Sequence, residues 1–156
     1  MRSSGTGEPM PVVLIVDDEE PVRHILRRWI GGAGYDTVEA ASAAQALEVM
    51  AATPADVAFC DVQMPGGHDG LWLTGELRRR HPTTAVVLAT GVSTVPPNVS
   101  MQAGVMAYLV KPFQRKGLLD ALEVAITWHQ DTKAAGAHPD DTGDKLNKWL
   151  ASLEDY

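Results

Sequence analysis

The feature that most constrains the fold is a regular alternation of short apolar runs with segments of helical periodicity. The first run, VVLIV at residues 12–16, is rich in β-branched residues and has no polar interruption, which is typical of a strand buried on both faces of a parallel sheet. Further strands are predicted at residues 35–40, 57–60, 85–89 and 107–110, and helices at residues 21–30, 42–52, 71–80, 98–103 and 114–130. The alternation predicts an α/β domain whose five-stranded parallel sheet has helices on both faces.

Five strands connected in this way are expected in the flavodoxin-like order 2-1-3-4-5. Polar residues stand where four of the predicted strands end: Asp17 and Asp18 after the first, Asp61 after the third, Thr90 after the fourth and Lys111 after the fifth. Ligands of open parallel sheets bind beyond the carboxyl ends of the strands, near the switch in strand order. We therefore expect these five side chains to converge on one site.

The residue types at these strand ends indicate phosphoryl chemistry assisted by a divalent cation. Three neighbouring carboxylates repel one another, and Mg²⁺, which prefers hard oxygen ligands, would relieve that repulsion. Asp61 could then act as a carboxylate nucleophile and form an aspartyl-phosphate. Mg²⁺ and Lys111 would neutralise charge on the transferring group, and the Thr90 hydroxyl could hydrogen-bond a phosphoryl oxygen.

The motifs around these residues resemble those of the response-regulator receiver domains. The matching segments are VDDEE at residues 16–20, DVQMPG at 61–66, LATG at 88–91 and YLVKPF at 108–113, and the resemblance covers residues 12–130. It implies that Asp61 is the phosphoacceptor, that Lys111 is the phosphate partner, and that Thr90 and Tyr108 form a switch pair. It further implies that Asp17, Asp18, Asp61 and the main-chain carbonyl of Gln63 hold Mg²⁺, and that the Lys111–Pro112 bond is cis.

The same resemblance implies the partners and the kind of activity. A sensor histidine kinase or a phosphotransfer protein would donate the phosphoryl group, and a downstream protein would read the switched surface. Such a domain is not an enzyme beyond its self-catalysed phosphotransfer and autodephosphorylation. The chain departs from the pattern in the segment MPGGHDG, which is one residue longer than usual, in Pro96-Pro97, and in Ala107 and Gly117. We expect these departures to affect the output face.

Three other functions compete with this interpretation. A phosphatase of the same fold often has a second aspartate two residues after its nucleophile, and here that position is Gln63. A flavin carrier would need a phosphate-binding loop after the first strand, where the acidic DDEE segment would repel phosphate. A degenerate receiver acting as a scaffold is disfavoured by the intact acidic cluster. Individually, Asp17 and Asp18 could be helix-start charges, and Tyr108 could be a residue at the edge of the core.

Composition excludes further classes of function. The net charge of −7 and the sequence pI of about 5.1 argue against a nucleic-acid-binding surface. One cysteine, Cys60, excludes an internal disulfide framework and fits a reducing compartment. The sequence shows no signal peptide and no apolar stretch near the length of a membrane span. We therefore expect a cytoplasmic protein with neither nucleic acid nor membrane as a partner.

The two ends of the chain are expected to lie outside the receiver domain. Residues 1–10 are predicted to be a flexible N-terminus, residues 11–130 the receiver domain and residues 131–143 a linker. Residues 144–156 are predicted to form a short amphipathic helix with an apolar stripe of Leu146, Trp149, Leu150 and Leu153. This helix could dock on a protein, mediate a homodimer or begin a further domain. The sequence leaves open whether the chain stands alone or is the N-terminal part of a longer regulator.

Overall fold

The computed structural model describes residues 10–91 and 102–136. In chain order its elements are β1 (Val12–Val16), α1 (Glu20–Gly32), β2 (Asp36–Ala40), α2 (Ala43–Ala52), β3 (Val57–Asp61), α3 (Gly70–Arg80), β4 (Ala85–Thr90), β5 (Val105–Val110) and α4 (Arg115–Ala134). Three predicted segments lie wholly or largely outside the described residues. They are the flexible N-terminus at 1–10, of which only Met10 is described, the helix at 98–103, of which only residues 102 and 103 are described, and the C-terminal helix at 144–156.

The strands form a five-stranded parallel sheet in the order β2-β1-β3-β4-β5, which confirms the predicted fold class and strand order. Each face of the sheet is covered by helices. One apolar layer packs α2 and α3 against side chains such as Leu14 and Leu88, and the other packs α1 and α4 against side chains such as Ile15 and Phe59. The three central strands are buried on both faces, which explains their uninterrupted apolar sequences.

Local sequence signals explain where the helices begin. The Ser42 side chain accepts a hydrogen bond from the Gln45 amide at 3.1 Å, as in a capping box. The Gln45 side chain reaches back to the Ala41 amide, one residue before the cap. Asp69 caps α3 by accepting hydrogen bonds from the amides of Leu71 and Trp72. None of the helices in the described part of the chain is long and apolar enough to cross a membrane.

The last helix is longer than predicted. It continues to Ala134, so that residues 131–134, which the sequence assigned to the linker, are helical. The packing of this end of α4 explains the extra turn: Thr132 is buried, and the ring of His129 bonds to the Thr83 carbonyl oxygen and to Asp56. The helix ends just before Gly136, whose φ of +62° lies in the left-handed region that glycine adopts most readily.

Candidate functional site

The predicted acidic cluster forms at the carboxyl edge of the sheet. Asp17 directly follows β1, and Asp61 is the last residue of β3, the strand that pairs with β1 in parallel register. Asp17, Asp18 and Asp61 each offer a carboxylate oxygen, and these oxygens all lie within 4.8 Å of one another. The side chains of Asp17 and Asp61 are buried and that of Asp18 is exposed, so the cluster opens to solvent on one side.

Lys111 supplies the positive charge of the site. Its Nζ lies 3.1 Å from Asp61 Oδ2 and 3.7 Å from Asp17 Oδ2. The end of β5 positions the residue, since the Lys111 amide donates to the Thr90 carbonyl oxygen at 2.8 Å and the Lys111–Pro112 bond is cis, as predicted. Burial lowers the pKa of Lys111, but the hydrogen bond and charge of Asp61 outweigh it and leave the pKa above its ordinary value. The lysine is therefore a fixed cation beside Asp61.

Asp17 carries the strongest sign that the site suits a cation. Its Oδ1 accepts a hydrogen bond from the Glu19 amide at 2.9 Å, whereas its buried Oδ2 has no hydrogen-bond partner. The pKa of Asp17 is raised, chiefly by burial and further by the charge of Asp61, against the hydrogen bond from Glu19. A buried carboxylate oxygen with no donor, next to two other carboxylates, fits the oxygen ligands that Mg²⁺ prefers.

Gln63 joins the loops on either side of the cluster. Its amide donates to Asp61 Oδ1 at 3.2 Å, and its side-chain Oε1 accepts a hydrogen bond from the Gly91 amide at 3.2 Å. The sequence predicts a role only for the main-chain carbonyl of Gln63, and no local pattern indicates this side-chain bridge. Gly70 holds the same loop close to the strand, because a Cβ at residue 70 would lie 2.2 Å from the Asp61 carbonyl oxygen.

Arg23 is a second residue beside the site that is not among the sequence predictions. Its Nη1 donates to the Asp17 carbonyl oxygen at 2.7 Å, and its Nε lies 3.3 Å from Glu39 Oε1 on β2. The arginine thereby ties α1 to the ends of β1 and β2 and supports the backbone of Asp17. Its position in the first turns of the helix after the acidic pair is the signal that could have suggested this contact.

The two predicted switch residues lie on the same side of the sheet. Thr90 is fully buried at the end of β4 and pairs with Val110, two residues beyond Tyr108 on β5. Paired residues of parallel strands, and residues two apart in one strand, point to the same face. Tyr108 is 44% exposed, so it does not belong to the described core. This arrangement is compatible with the switch pair, which stays a prediction.

Comparison with known proteins gives one family. The family model of the response regulator receiver domain matches residues 13–123. The chain is 36% identical over 121 residues to the DNA-binding transcriptional regulator NtrC of Escherichia coli (strain K12), covering 77% of this chain and 26% of that protein. It is 38% identical over 109 residues to the response regulator protein FleR of Pseudomonas aeruginosa, covering 69% of this chain and 23% of that protein.

A solved structure agrees with these relatives. The response regulator protein TrrA of Thermotoga maritima, crystallised in complex with Mg(2+)-BeF, superimposes with a TM-score of 0.67 at 28% identity and covers 74% of this chain and 98% of that one. The chain spans about a quarter of the length of the two curated relatives. The similarity to them therefore concerns the receiver portion.

Proposed function

Because this chain belongs to the response regulator receiver family, we propose that it accepts a phosphoryl group on Asp61 from a sensor histidine kinase or a phosphotransfer protein, in a reaction that requires Mg²⁺. The observation that carries the proposal is the cluster at the strand ends. Asp61 lies 3.1 Å from the Lys111 ammonium group and shares its site with a buried oxygen of Asp17 that has no donor.

The transfer follows from the positions of these side chains. A carboxylate oxygen of Asp61 attacks the phosphorus of a phosphohistidine, an O–P bond forms, and the N–P bond breaks as the leaving imidazole takes up a proton. Lys111 neutralises negative charge on the phosphoryl oxygens from its position beside Asp61. The Gln63 amide, which donates to Asp61 Oδ1, holds the carboxylate in a fixed orientation for the attack.

The metal would be held by Asp17, Asp18, Asp61 and the main-chain carbonyl of Gln63. When bound, Mg²⁺ supplies charge neutralisation between the carboxylates and the incoming phosphoryl group. The Mg(2+)-BeF complex of the similar Thermotoga maritima structure supports this choice of cation. The buried Asp17 oxygen supports it independently, because that oxygen has an ion pair with Lys111 at 3.7 Å but no hydrogen bond, and a cation would satisfy it.

Phosphorylation would reach the surface through Thr90 and Tyr108. The Thr90 hydroxyl would hydrogen-bond a phosphoryl oxygen, and the movement of its strand end would let Tyr108 change from its half-exposed position. We propose that a downstream protein reads this change, since a net charge of −7 does not suit a nucleic-acid surface. A homodimer is a second form that this output could take. Cytoplasmic location is part of the same proposal, because phosphohistidine donors of this kind act there.

The chemistry does not extend to a turnover enzyme. Gln63 stands two residues after Asp61, where a phosphatase would need an acid or base, and its side-chain oxygen already accepts the Gly91 amide. We therefore propose phosphotransfer to Asp61 and self-catalysed hydrolysis as the reactions of this site.

Intact-mass spectrometry after incubation with a small phosphodonor such as acetyl phosphate tests the proposal. We expect one added phosphoryl group in the wild type with Mg²⁺, and none with EDTA or in Asp61→Asn. Asp120→Asn, which changes an exposed aspartate on α4, is the matched control and should react as the wild type does. An unmodified wild type beside a reacting receiver control, or an adduct that persists in Asp61→Asn, would contradict the proposal.

A further inference from the structure

An apolar groove lies between the edge strand β5 and α4, away from the acidic cluster. It has a volume of about 380 Å³ and is lined by Met106, Glu123, Val124, Thr127, Trp128 and Asp131. Val124 is 51% exposed, the most exposed of the large apolar side chains in the described ranges. Met106, Val124 and Trp128 thus leave a short apolar strip at this edge of the domain, which the apolar face of one more helix could cover.

Two features make the groove a defined surface. A register shift between β4 and β5 places both Met106 and Ala107 on the α4 side of the sheet, which widens the apolar strip at the sheet edge. Trp128 is held by the guanidinium of Arg78, whose Cζ lies 5.3 Å from the ring centroid. Arg78 is itself anchored by hydrogen bonds to the carbonyl oxygens of Pro82 and Thr84.

We propose that the chain's own segment 144–155 folds back as a helix and covers this groove, antiparallel to α4. The segment carries its apolar residues at positions 146, 149, 150 and 153, the i, i+3, i+4, i+7 spacing of a single helical stripe. A helix with one apolar stripe needs a surface on which to bury it. The groove supplies such a surface, and it lies along the C-terminal half of α4, after which the chain continues toward the segment.

The dimensions of the two surfaces agree. Val124 and Asp131 lie seven residues apart on α4, which corresponds to about 10 Å along the helix axis, and the stripe from Leu146 to Leu153 has the same length. The chain can reverse at Gly136, whose φ is +62°. Residues 137–143 can span up to roughly 23 Å, more than the 8–10 Å that separates packed helix axes. Antiparallel packing then places position 146 beside Asp131 and position 153 beside Val124.

Charge favours this occupant over a second copy of the same groove. Glu123 and Asp131 border the apolar strip, and Lys145 borders the apolar stripe of the segment at the end that antiparallel packing brings to Asp131. Two grooves facing each other in a symmetric dimer would instead bring acidic residues against acidic residues. Lys145 therefore matches Asp131, although Glu154 comes to the end of the groove near Glu123, whereas two facing grooves contain no pair of opposite charges.

Disulfide formation between introduced cysteines tests both the contact and its direction. In the full chain, the pairs Val124→Cys with Leu153→Cys and Asp131→Cys with Leu146→Cys should form intramolecular disulfides about tenfold faster than the exchanged pairs Val124→Cys with Leu146→Cys and Asp131→Cys with Leu153→Cys. Cys60 does not interfere, because it is buried and burial raises the pKa of its thiol to about 12. Glu48→Cys with Leu150→Cys, which joins the opposite face of the sheet, measures random collision.

Equal rates for matched and exchanged pairs would overturn the proposal. Disulfides that form only between chains would also overturn it and identify a second copy as the occupant. A charge reversal provides the independent readout in the Val124→Cys, Leu153→Cys background. Lys145→Glu or Asp131→Lys alone should slow the intramolecular disulfide, and the two together should restore its rate. Failure of the double reversal to restore the rate would contradict the predicted contact of Lys145 with Asp131.

Discussion

Replacing Asp17 with asparagine should stabilise the metal-free protein and abolish its stabilisation by Mg²⁺. The substitution keeps Oδ1 as the acceptor for the Glu19 amide but removes a buried charge. Because the pKa of Asp17 is raised above its ordinary value by burial and by Asp61, its ionised form is disfavoured in the folded state. Near neutral pH that charge therefore lowers the free energy of unfolding, and its removal should raise it.

The geometry gives the size of the effect. At an effective dielectric constant of about 20, each like-charge pair at the 4.8 Å limit of the cluster costs about 3.5 kcal/mol, so Asp61 and Asp18 together oppose Asp17 by roughly 7 kcal/mol. Lys111, at 3.7 Å from Asp17, returns about 4.5 kcal/mol of attraction. The difference of roughly 2.5 kcal/mol is reduced by solvent at the open side of the cluster, and we expect a net gain of about 1–2 kcal/mol.

Urea unfolding in EDTA and in saturating Mg²⁺ measures both parts of this prediction. The wild type should gain about 2.7 kcal/mol when Mg²⁺ is present at a hundred times its dissociation constant, and Asp17→Asn should gain little. Glu48→Gln, which removes one exposed negative charge from α2, controls for net charge. An Asp17→Asn protein that is less stable than the wild type in EDTA, or that gains as much from Mg²⁺, would refute the reasoning.

Three further predictions follow from other contacts. Lys111→Met should slow phosphorylation but tighten Mg²⁺ binding by about tenfold, since it removes a positive charge beside the carboxylates of Asp17 and Asp61. A Mg²⁺ titration that shows weaker binding would count against this. Both ring nitrogens of His129 face acceptors, and its pKa is raised, chiefly by the hydrogen bond to Asp56 against the effect of burial. Its contribution to stability is therefore complete below about pH 6.5 and is lost as the pH rises through the raised pKa. The free energy of unfolding should consequently fall more steeply with rising pH in the wild type than in His129→Gln, and parallel pH profiles of urea unfolding would exclude this. Gly70→Ala should lower the free energy of unfolding by at least about 3 kcal/mol, because its Cβ would meet the Asp61 carbonyl oxygen. Gly75→Ala, in open space on α3, should raise it by about 0.5–1 kcal/mol. Thermal unfolding compares the two, and similar effects would contradict the close packing at residue 70.

The strands and the convergence of the site could be predicted because both depend on local signals. Runs such as residues 12–16 and 85–89 identify buried parallel strands by themselves, and parallel strands bring their carboxyl ends to one edge of the sheet. Given the alternation of elements, the placement of Asp17, Asp61 and Lys111 at that edge follows without knowledge of side-chain contacts.

The remaining features depend on contacts between residues far apart in the sequence. Neither the bridge from Gln63 to Gly91 nor the bond from Arg23 to the Asp17 carbonyl has a periodic pattern that would reveal it. The extra turn of α4 was missed because residues 131–134 are ordinary in composition, and the turn is anchored through His129 to the start of β3 and β4. Tertiary contacts override local preference at such positions.

The most direct test of the account is to locate the phosphoryl group. After reaction with acetyl phosphate and Mg²⁺, borohydride reduction converts an aspartyl-phosphate to homoserine, and peptide mass spectrometry identifies the residue. We expect homoserine at position 61, dependent on Mg²⁺ and absent from an untreated sample. Homoserine at Asp17 or Asp18, or phosphate recovered only on a residue outside the cluster, would contradict it.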